Sequence, residues 1–398
     1  MIPKIRVGIL MHGIFYGGAS RSLIQLLKIL KNEERFEFIV YTTSISSLKV
    51  KKELEKYCVS IKKVKLKIIT ANQASVSSIK TFKKSKNVGL INFINQLKHD
   101  EINLLHINTT VFSHILKPIT DLTNIKIIVH VRELLPEYGK TLIGDYIIEQ
   151  IKFYSDFIIC ISENEAERFA DYERKVILPN PIDFNEIDST IGNFRAQNNI
   201  NKETIIITMS SHFYKPKGHI LFLDALKILL EKYNLKNILF LIVGYKQHNL
   251  FLRKYIKKIL MMSDYLSEIK NKIKNEGLTN FVKLIPYTYD IYEIIKDSDI
   301  IVRPALTADP WGRDVIEGMA MKKPIVATGN STFFIKPEIT GYLVSPNANE
   351  LANKIKDLIK DKSKRELFGL NGRKTIENIC NSINYSKQLI NIYDTISE

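Results

Sequence analysis

The chain has 398 residues, 45% of them hydrophobic and 25% charged, a length for two core-bearing domains and the composition of a soluble globular protein. No apolar run approaches a bilayer span, and the amino-terminal IRVGILM is too short for a signal-peptide core, which excludes a spanning or secretory reading. The net charge of +16 points to an acidic partner, while three distant cysteines, Cys58, Cys160 and Cys380, fit a reduced cytoplasmic setting and offer no zinc spacing.

Residues 5–10 read as a first buried strand, HGIFYGGAS as the loop after it, and SRSLIQLLKILK as a helix by its Leu and Ile spacing. Gly17 and Gly18, paired between a strand and a helix, allow close backbone approach to a phosphate, although paired glycines are also ordinary turn residues. No dinucleotide-type glycine fingerprint is present. Between residues 47 and 87 stand twelve Lys and two Glu, a net of +10. Such a run is either a solvated lysine-rich face or a docking surface for anionic lipid, nucleic acid or another polyanion. It lacks the interleaved aromatics of an RNA-binding segment, so no nucleic-acid partner is expected. FEFIVYTT, VKLKIITA, INLLHINT, IKIIVHV, SDFIICIS and KVILPNP are further strand candidates, mostly separated by helical stretches, as in a parallel doubly wound sheet. His106 and His130 each fall at the end of one of these strands, where a histidine either faces a ligand or bonds to backbone.

Residues 187–203 are polar and Asn-rich and read as a linker between domains at 1–186 and 204–380, with a terminal helix at 381–398. The second domain repeats the α/β pattern through TIIITMSS, ILFLIVGY, FVKLIPY, IIVRPA, PIVAT and GYLVSP, with a long Lys-rich helical stretch after the second of these. His212, Lys215 and Lys217-Gly218 lie between its first strand and a Leu-rich helix. Asp297-Ser298-Asp299 resembles a metal-holding Asp-x-Asp pair but precedes its strand, so it reads as a turn with solvated or capping carboxylates. No nucleophile-elbow pattern appears. Between IIVRPA and PIVAT, DPWGRDVIEGMAM reads as a loop turning into a helix, with Asp309 as cap and Pro310 in the first turn. Glu317 then lies about two turns along the same face. A helix beginning at the carboxyl end of a parallel strand aims unpaired N–H groups at an anion.

Asp309-Pro310-Trp311-Gly312, followed after four residues by Glu317-Gly318-Met319-Ala320, resembles the signature of glycosyltransferase family 4, retaining enzymes of the GT-B fold. The family usually opens this pattern with Glu, where this chain has the shorter Asp309. The resemblance extends to Gly17-Gly18-Ala19, to His106 and His130, to Asn180-Pro181-Ile182-Asp183 closing the first domain, and to Lys217-Gly218. His212 stands where the family has the arginine of a two-cation diphosphate clamp, and Lys215 or His212 would have to replace it.

The resemblance implies two Rossmann-like α/β domains facing a central cleft, with the terminal helix crossing back to the first. It implies a retaining transferase that moves a sugar from a nucleotide-sugar, UDP-linked by family frequency, to a glycan acceptor in bacterial-type surface polysaccharide or glycoconjugate assembly. The acceptor would be lipid-linked, with the basic run docking the cytoplasmic protein on an anionic membrane, and no metal or cofactor is implied. Lys217, Gly17, Gly18 and the helix start would stabilise the leaving diphosphate. Glu317 would hold the ribose, Asp309 a sugar hydroxyl and His130 the donor sugar. Backbone near Pro286 and Tyr287 would hold the base, and Arg132 and Glu133 would line the acceptor side. Trp311, Gly312 and Arg313 complete the expected donor-binding set. The departures at positions 212 and 309 keep open a non-catalytic nucleotide-sugar-binding protein; an epimerase needing no acceptor and a polyanion-binding protein are further readings.

Overall fold

The computed structural model describes residues 4–15, 17–70, 88–245, 265–307, 309 and 311–397. The chain forms two compact units, Met1–Pro181 with Cys380–Glu398, and Ile182–Ile379.

The first unit is built on a seven-stranded parallel sheet ordered β3-β2-β1-β4-β5-β6-β7. Its strands are β1 (Ile5–Met11), β2 (Phe36–Thr42), β3 (Ser60–Lys63), β4 (Leu104–Ile107), β5 (Lys126–Val131), β6 (Phe157–Cys160) and β7 (Lys175–Ile177). Side chains alternate across a strand, and both faces here are covered by helices, so apolar runs are stable only in the middle of the sheet. Val7, Ile9 and Met11 of β1 join one core with Leu23, Leu26 and Leu27 of the helix Gly18–Ile29, whereas Leu10 joins the opposite core with Tyr41 and Phe93. The terminal helix Ser382–Ser397 contributes Tyr385, Leu389, Ile392 and Tyr393 to the first of these cores. At its rim Arg35 Nη1 donates to both oxygens of Asp394 at 3.1 and 3.0 Å.

One expected strand is displaced. VKLKIITA is not a strand in its described part: β3 ends at Lys63, and residues 64–70 are irregular. Val64 N still reaches Thr42 O at 2.8 Å, but Ile69 N bonds to Val111 O at 2.9 Å, away from the sheet. The alternating pattern is met by anchoring Val64 and Ile69 in the core, without ladder pairing. The lysine-rich run is described only to residue 70, and its remainder lies outside the described residues. Within it Lys51, Lys56 and Lys62 pair with Glu55, Glu53 and Asp100.

Asp100 is buried and accepts from Lys62 Nζ and Tyr41 Oη, each at 2.6 Å. Burial opposes its charge, but the bonds from Lys62, Tyr41, His99 and Gln96 together prevail and hold the carboxyl at about 2. A carboxylate depressed on folding stabilises the native state above its unfolded pKa, and that contribution disappears as pH falls through the folded value. Asp100→Asn should therefore cost about 2 kcal/mol at pH 7 and flatten the loss of stability between about pH 4 and 2. Urea titrations across that range measure both effects.

The second unit carries a six-stranded parallel sheet ordered β10-β9-β8-β11-β12-β13. These are β8 (Ile205–Ser210), β9 (Ile238–Tyr245), β10 (Val282–Pro286), β11 (Ile300–Arg303), β12 (Ile325–Thr328) and β13 (Gly341–Val344). The expected Lys-rich helical stretch is described only from the helix Tyr265–Asn275 onward. Residues 187–203 are packed into this unit: Ile187 and Phe194 are buried, and Arg195 Nη2 meets Asp299 Oδ2 at 2.7 Å. Asp297 accepts from Arg195 N and Asp299 from Ile206 N, both at 2.8 Å. The carboxylates of this turn are thus half-buried and accept from backbone N–H groups, as the capping alternative expects; they tie the incoming chain to the amino edge of the sheet. In each unit the strand order reverses once, between β1 and β4 and between β8 and β11. Open α/β sheets bind ligands outside the carboxyl ends of such strands. Among the described residues no helix is long and apolar enough to cross a membrane.

Candidate functional site

In the second unit the loops leaving β8 and β11 are locked together. Gly218 follows the short helical turn Lys215–Lys217 with φ +77°, and a Cβ there would lie 1.7 Å from Pro304 O. Only glycine adopts that conformation at that distance. Leu306 N completes the contact by donating to Pro216 O at 2.8 Å.

Arg303, closing β11 and 8% exposed, is the centre of this site. Its Nη2 pairs with Asp309 Oδ2 at 2.6 Å, its Nη1 with Asp314 Oδ1 at 2.9 Å, and its Nε donates to Asp309 O at 2.8 Å. The helix following this loop runs Arg313–Ala320 with Gly312 at its cap position. The expected start is therefore corrected: Asp309 does not cap the helix, because Arg303 draws its carboxylate away, and it does not share a helical face with Glu317. Pro310 lies outside the described residues. Gly312 has extended backbone, so space is its reason: a Cβ would lie 2.6 Å from Arg303 Nη1 and 2.8 Å from Asp314 Oδ1.

With both carboxylates engaged by Arg303, Lys217 has no ion-pair partner among the described residues. Its amine is held below the ordinary lysine range by burial and then by Arg303, with Asp309 and Asp314 pulling the other way. Glu317, 1% exposed, receives Arg313 Nε at 2.7 Å. Trp311 is buried against Phe334 with ring centroids 4.9 Å apart, as a wall behind the helix start.

The remaining expected residues of this unit stand apart from Arg303. Lys215 is exposed and turns to Glu268 Oε2 at 3.3 Å. His212 is exposed, and its Nε2 lies 2.7 Å from Tyr287 Oη. Tyr287 N donates to Tyr245 O at 2.9 Å, extending the β9–β10 ladder past a register shift at Pro286.

The first unit gathers a second cluster at the carboxyl ends of β1, β4 and β5. Gly17 caps the helix Gly18–Ile29 with extended backbone, and its carbonyl receives Arg21 N at 3.0 Å. His106 and His130 are fully buried, with His106 Nε2 3.2 Å from His130 Nδ1. His106 Nδ1 lies 2.7 Å from Tyr393 Oη. Burial holds both rings neutral: His106 is lowered to about 3, and His130 lies well below the usual range, with Arg132 and His106 adding to the effect. Arg132 donates from Nη2 to His130 Nδ1 at 3.2 Å, from Nε to Asn108 Oδ1 at 2.7 Å, and from Nη1 to Asn180 Oδ1. Glu133 accepts from Thr109 Oγ1 at 2.5 Å and from Thr110 N at 3.1 Å.

Reading the sequence passed over Arg303, Asp314, Asn108 and Tyr393. A charged residue closing the apolar run IIVR, with acids six and eleven positions later, was the available signal for the first two. Among the described residues no group of three or more His, Cys, Asp and Glu is placed to hold a metal ion.

Residues 190–375 match the family model for glycosyl transferases group 1. This group 1 match spans almost the whole second unit, including Lys217, Arg303 and Glu317. The capsular polysaccharide biosynthesis glycosyltransferase CapM of Staphylococcus aureus is 27% identical over 275 residues, 63% of this chain. The chain spans 64% of that relative's length. Anabaena HepE, crystallised with UDP and glucose, superposes with TM-score 0.79 at 18% identity, covering 98% of this chain and 100% of its own. Sucrose-phosphate synthase from Thermosynechococcus elongatus superposes with TM-score 0.75 at 17% identity, covering 99% of each chain. At such identities the superpositions establish the fold class, GT-B, with two Rossmann-like units.

Proposed function

We propose that the protein is a glycosyltransferase that moves a sugar from a nucleotide-sugar, by preference a UDP-sugar, to a glycan acceptor in surface polysaccharide or glycoconjugate assembly. The observation that carries this reading is Lys217: a half-buried cation without an ion-pair partner among the described residues, beside a helix start, inside the group 1 match. CapM, named for capsular polysaccharide biosynthesis, and HepE, crystallised with UDP-glucose, support the choice of donor and product class.

The reaction breaks the bond from the anomeric carbon to the diphosphate, and its electron pair stays on the leaving phosphate oxygen. Lys217 and the N–H groups at Arg313–Ala320 meet that charge with a full and a partial positive charge. The acceptor hydroxyl oxygen bonds to the anomeric carbon from the same face, giving retention as in family 4, and its proton passes to the departing phosphate oxygen. Glu317, oriented by Arg313, receives the ribose hydroxyls; backbone near Pro286 and Tyr287 holds the base; the loop at Gly17 and Gly18 supplies N–H donors. Asp309 and Trp311 shape the sugar side around Gly312, and His130 donates its N–H to the donor sugar. His212 takes over the missing arginine's place through hydrogen bonds, neutral or protonated, or Lys215 does so.

Incubation with nucleoside diphosphate sugars, reading nucleotide release with and without a glycan acceptor, tests this. Acceptor-dependent release of UDP that survives EDTA is expected, and loss with EDTA restored by manganese contradicts the metal-free scheme. A thermal shift with UDP but no release from any donor supports a binding protein, the reading that Asp309 held by Arg303 favours. Epimerised sugar without acceptor supports the epimerase reading.

The acceptor is lipid-linked in this proposal, with residues 47–87 docking on the cytoplasmic face of an anionic membrane. Each unpaired lysine near an anionic leaflet contributes about 1 kcal/mol, screened by salt. The protein should float with anionic vesicles and not with neutral ones, and equal flotation removes the membrane role.

A further inference from the structure

We infer that Arg132 is a positioning residue that sets the direction of a buried hydrogen-bond chain ending on Tyr393, and so presents His130 Nε2–H to the ligand. This rests on the reading of His130 as a ligand contact and adds how its proton is placed.

A neutral imidazole carries one proton and has two tautomers, so its neighbours decide which nitrogen donates. Arginine can only donate. Arg132 Nη2, 3.2 Å from His130 Nδ1, therefore makes that nitrogen an acceptor and leaves the proton on Nε2. His106 Nε2, also 3.2 Å from His130 Nδ1, must then be an N–H donor, which leaves His106 Nδ1 bare. Tyr393 Oη, 2.7 Å away, fills it by donating. Reversing the chain would turn an N–H of His130 against an N–H of Arg132. The tyrosine hydroxyl serves either direction, so the guanidinium alone makes the choice. Tyr393, on the core-facing side of the terminal helix, pins the far ring.

The near end of the chain is open. His130 Nε2 is buried with no hydrogen-bond partner among the described residues. The same holds for Asn108 Nδ2, whose Oδ1 is identified as the acceptor because Arg132 Nε donates to it at 2.7 Å. Two buried N–H donors thus flank one arginine at the carboxyl ends of β4 and β5. Buried donors without acceptors are costly, and a ligand bearing hydroxyl or phosphate oxygens satisfies both.

Nitrogen-15 NMR of histidine-labelled protein tests the chain without any substrate. The signal lost in His130→Ala should show, in the unsubstituted protein, a protonated Nε2 and a bare Nδ1. A protonated Nδ1 overturns the proposal. Arg132→Met should give a mixture of both tautomers, because the chain is then free to reverse; an unchanged tautomer in folded variant also overturns it. With UDP-glucose and a working acceptor, Arg132→Met should lower kcat about tenfold or more while KM for the donor changes less than about threefold. A merely structural role would lower the melting temperature and leave the tautomer alone. If the expected tautomer is seen but no donor is turned over, the glycosyl-transfer reading fails and the chain stands.

Discussion

Lys217→Ala should lower sugar transfer about 10²–10³-fold, the loss typical of removing one preorganised charge-stabilising donor, while the protein stays folded. The two carboxylates beside it are held by Arg303, so truncating Lys217 strips no partner from an ion pair. The direction of its pKa shift makes the same point. A lysine lowered on folding destabilises the native state while it stays charged, and that burden is relieved as pH rises through the folded value. Lys217→Met should therefore leave stability at pH 7 unchanged or slightly raised although transfer is lost. For the unsubstituted protein the alkaline limb of kcat/KM should lie below the ordinary lysine range of about 10.4, and Lys217→Arg should move it upward. Wild-type transfer by the alanine variant would remove Lys217 from the mechanism.

Much of this architecture was legible because its causes are local. Apolar, β-branched runs such as FEFIVYTT, TIIITMSS and PIVAT become strands buried on both faces, and the helical spacing in SRSLIQLLKILK survives as Gly18–Ile29. What was not legible depends on partners distant in the chain. VKLKIITA alternates like a strand, yet Ile69 bonds to Val111. Asp309 has the chemistry of a cap, yet a guanidinium six residues earlier takes its carboxylate and the helix waits until Arg313. Nothing in KPKG itself says how far each lysine is covered, but the left-handed Gly218 fixes the turn against Pro304, and Lys217 is half-buried while the exposed Lys215 reaches Glu268. Periodicity gives no sign that Tyr393 would meet His106, 287 residues away.

Arg303→Met should be the most damaging single change in the second unit, costing about 3–5 kcal/mol, because it leaves two partly buried carboxylates without their cation. Asp314 has a side chain 10% exposed and Asp309 one 28% exposed, so the first carries most of that loss. Lys217, already within the electrostatic reach of Asp309 and Asp314, would then feel their full charge. Drawn toward the freed carboxylates, its pKa should rise, and it would no longer be available to a diphosphate. Transfer and stability should fall together, unlike the Lys217 variants, in which only transfer falls. Arg303→Lys should rescue little, since one ammonium cannot make the forked contacts to Asp309 and Asp314. Neutralising both acids in the Arg303→Met background separates the two effects: stability should return, because neither acid is then charged without its cation, and Lys217 should be released. If that triple variant regains its fold but not its transfer, Arg303 also contributes its own charge to the bound diphosphate. If Arg303→Met alone costs less than about 1 kcal/mol, the ion pairs around it do not hold the site together.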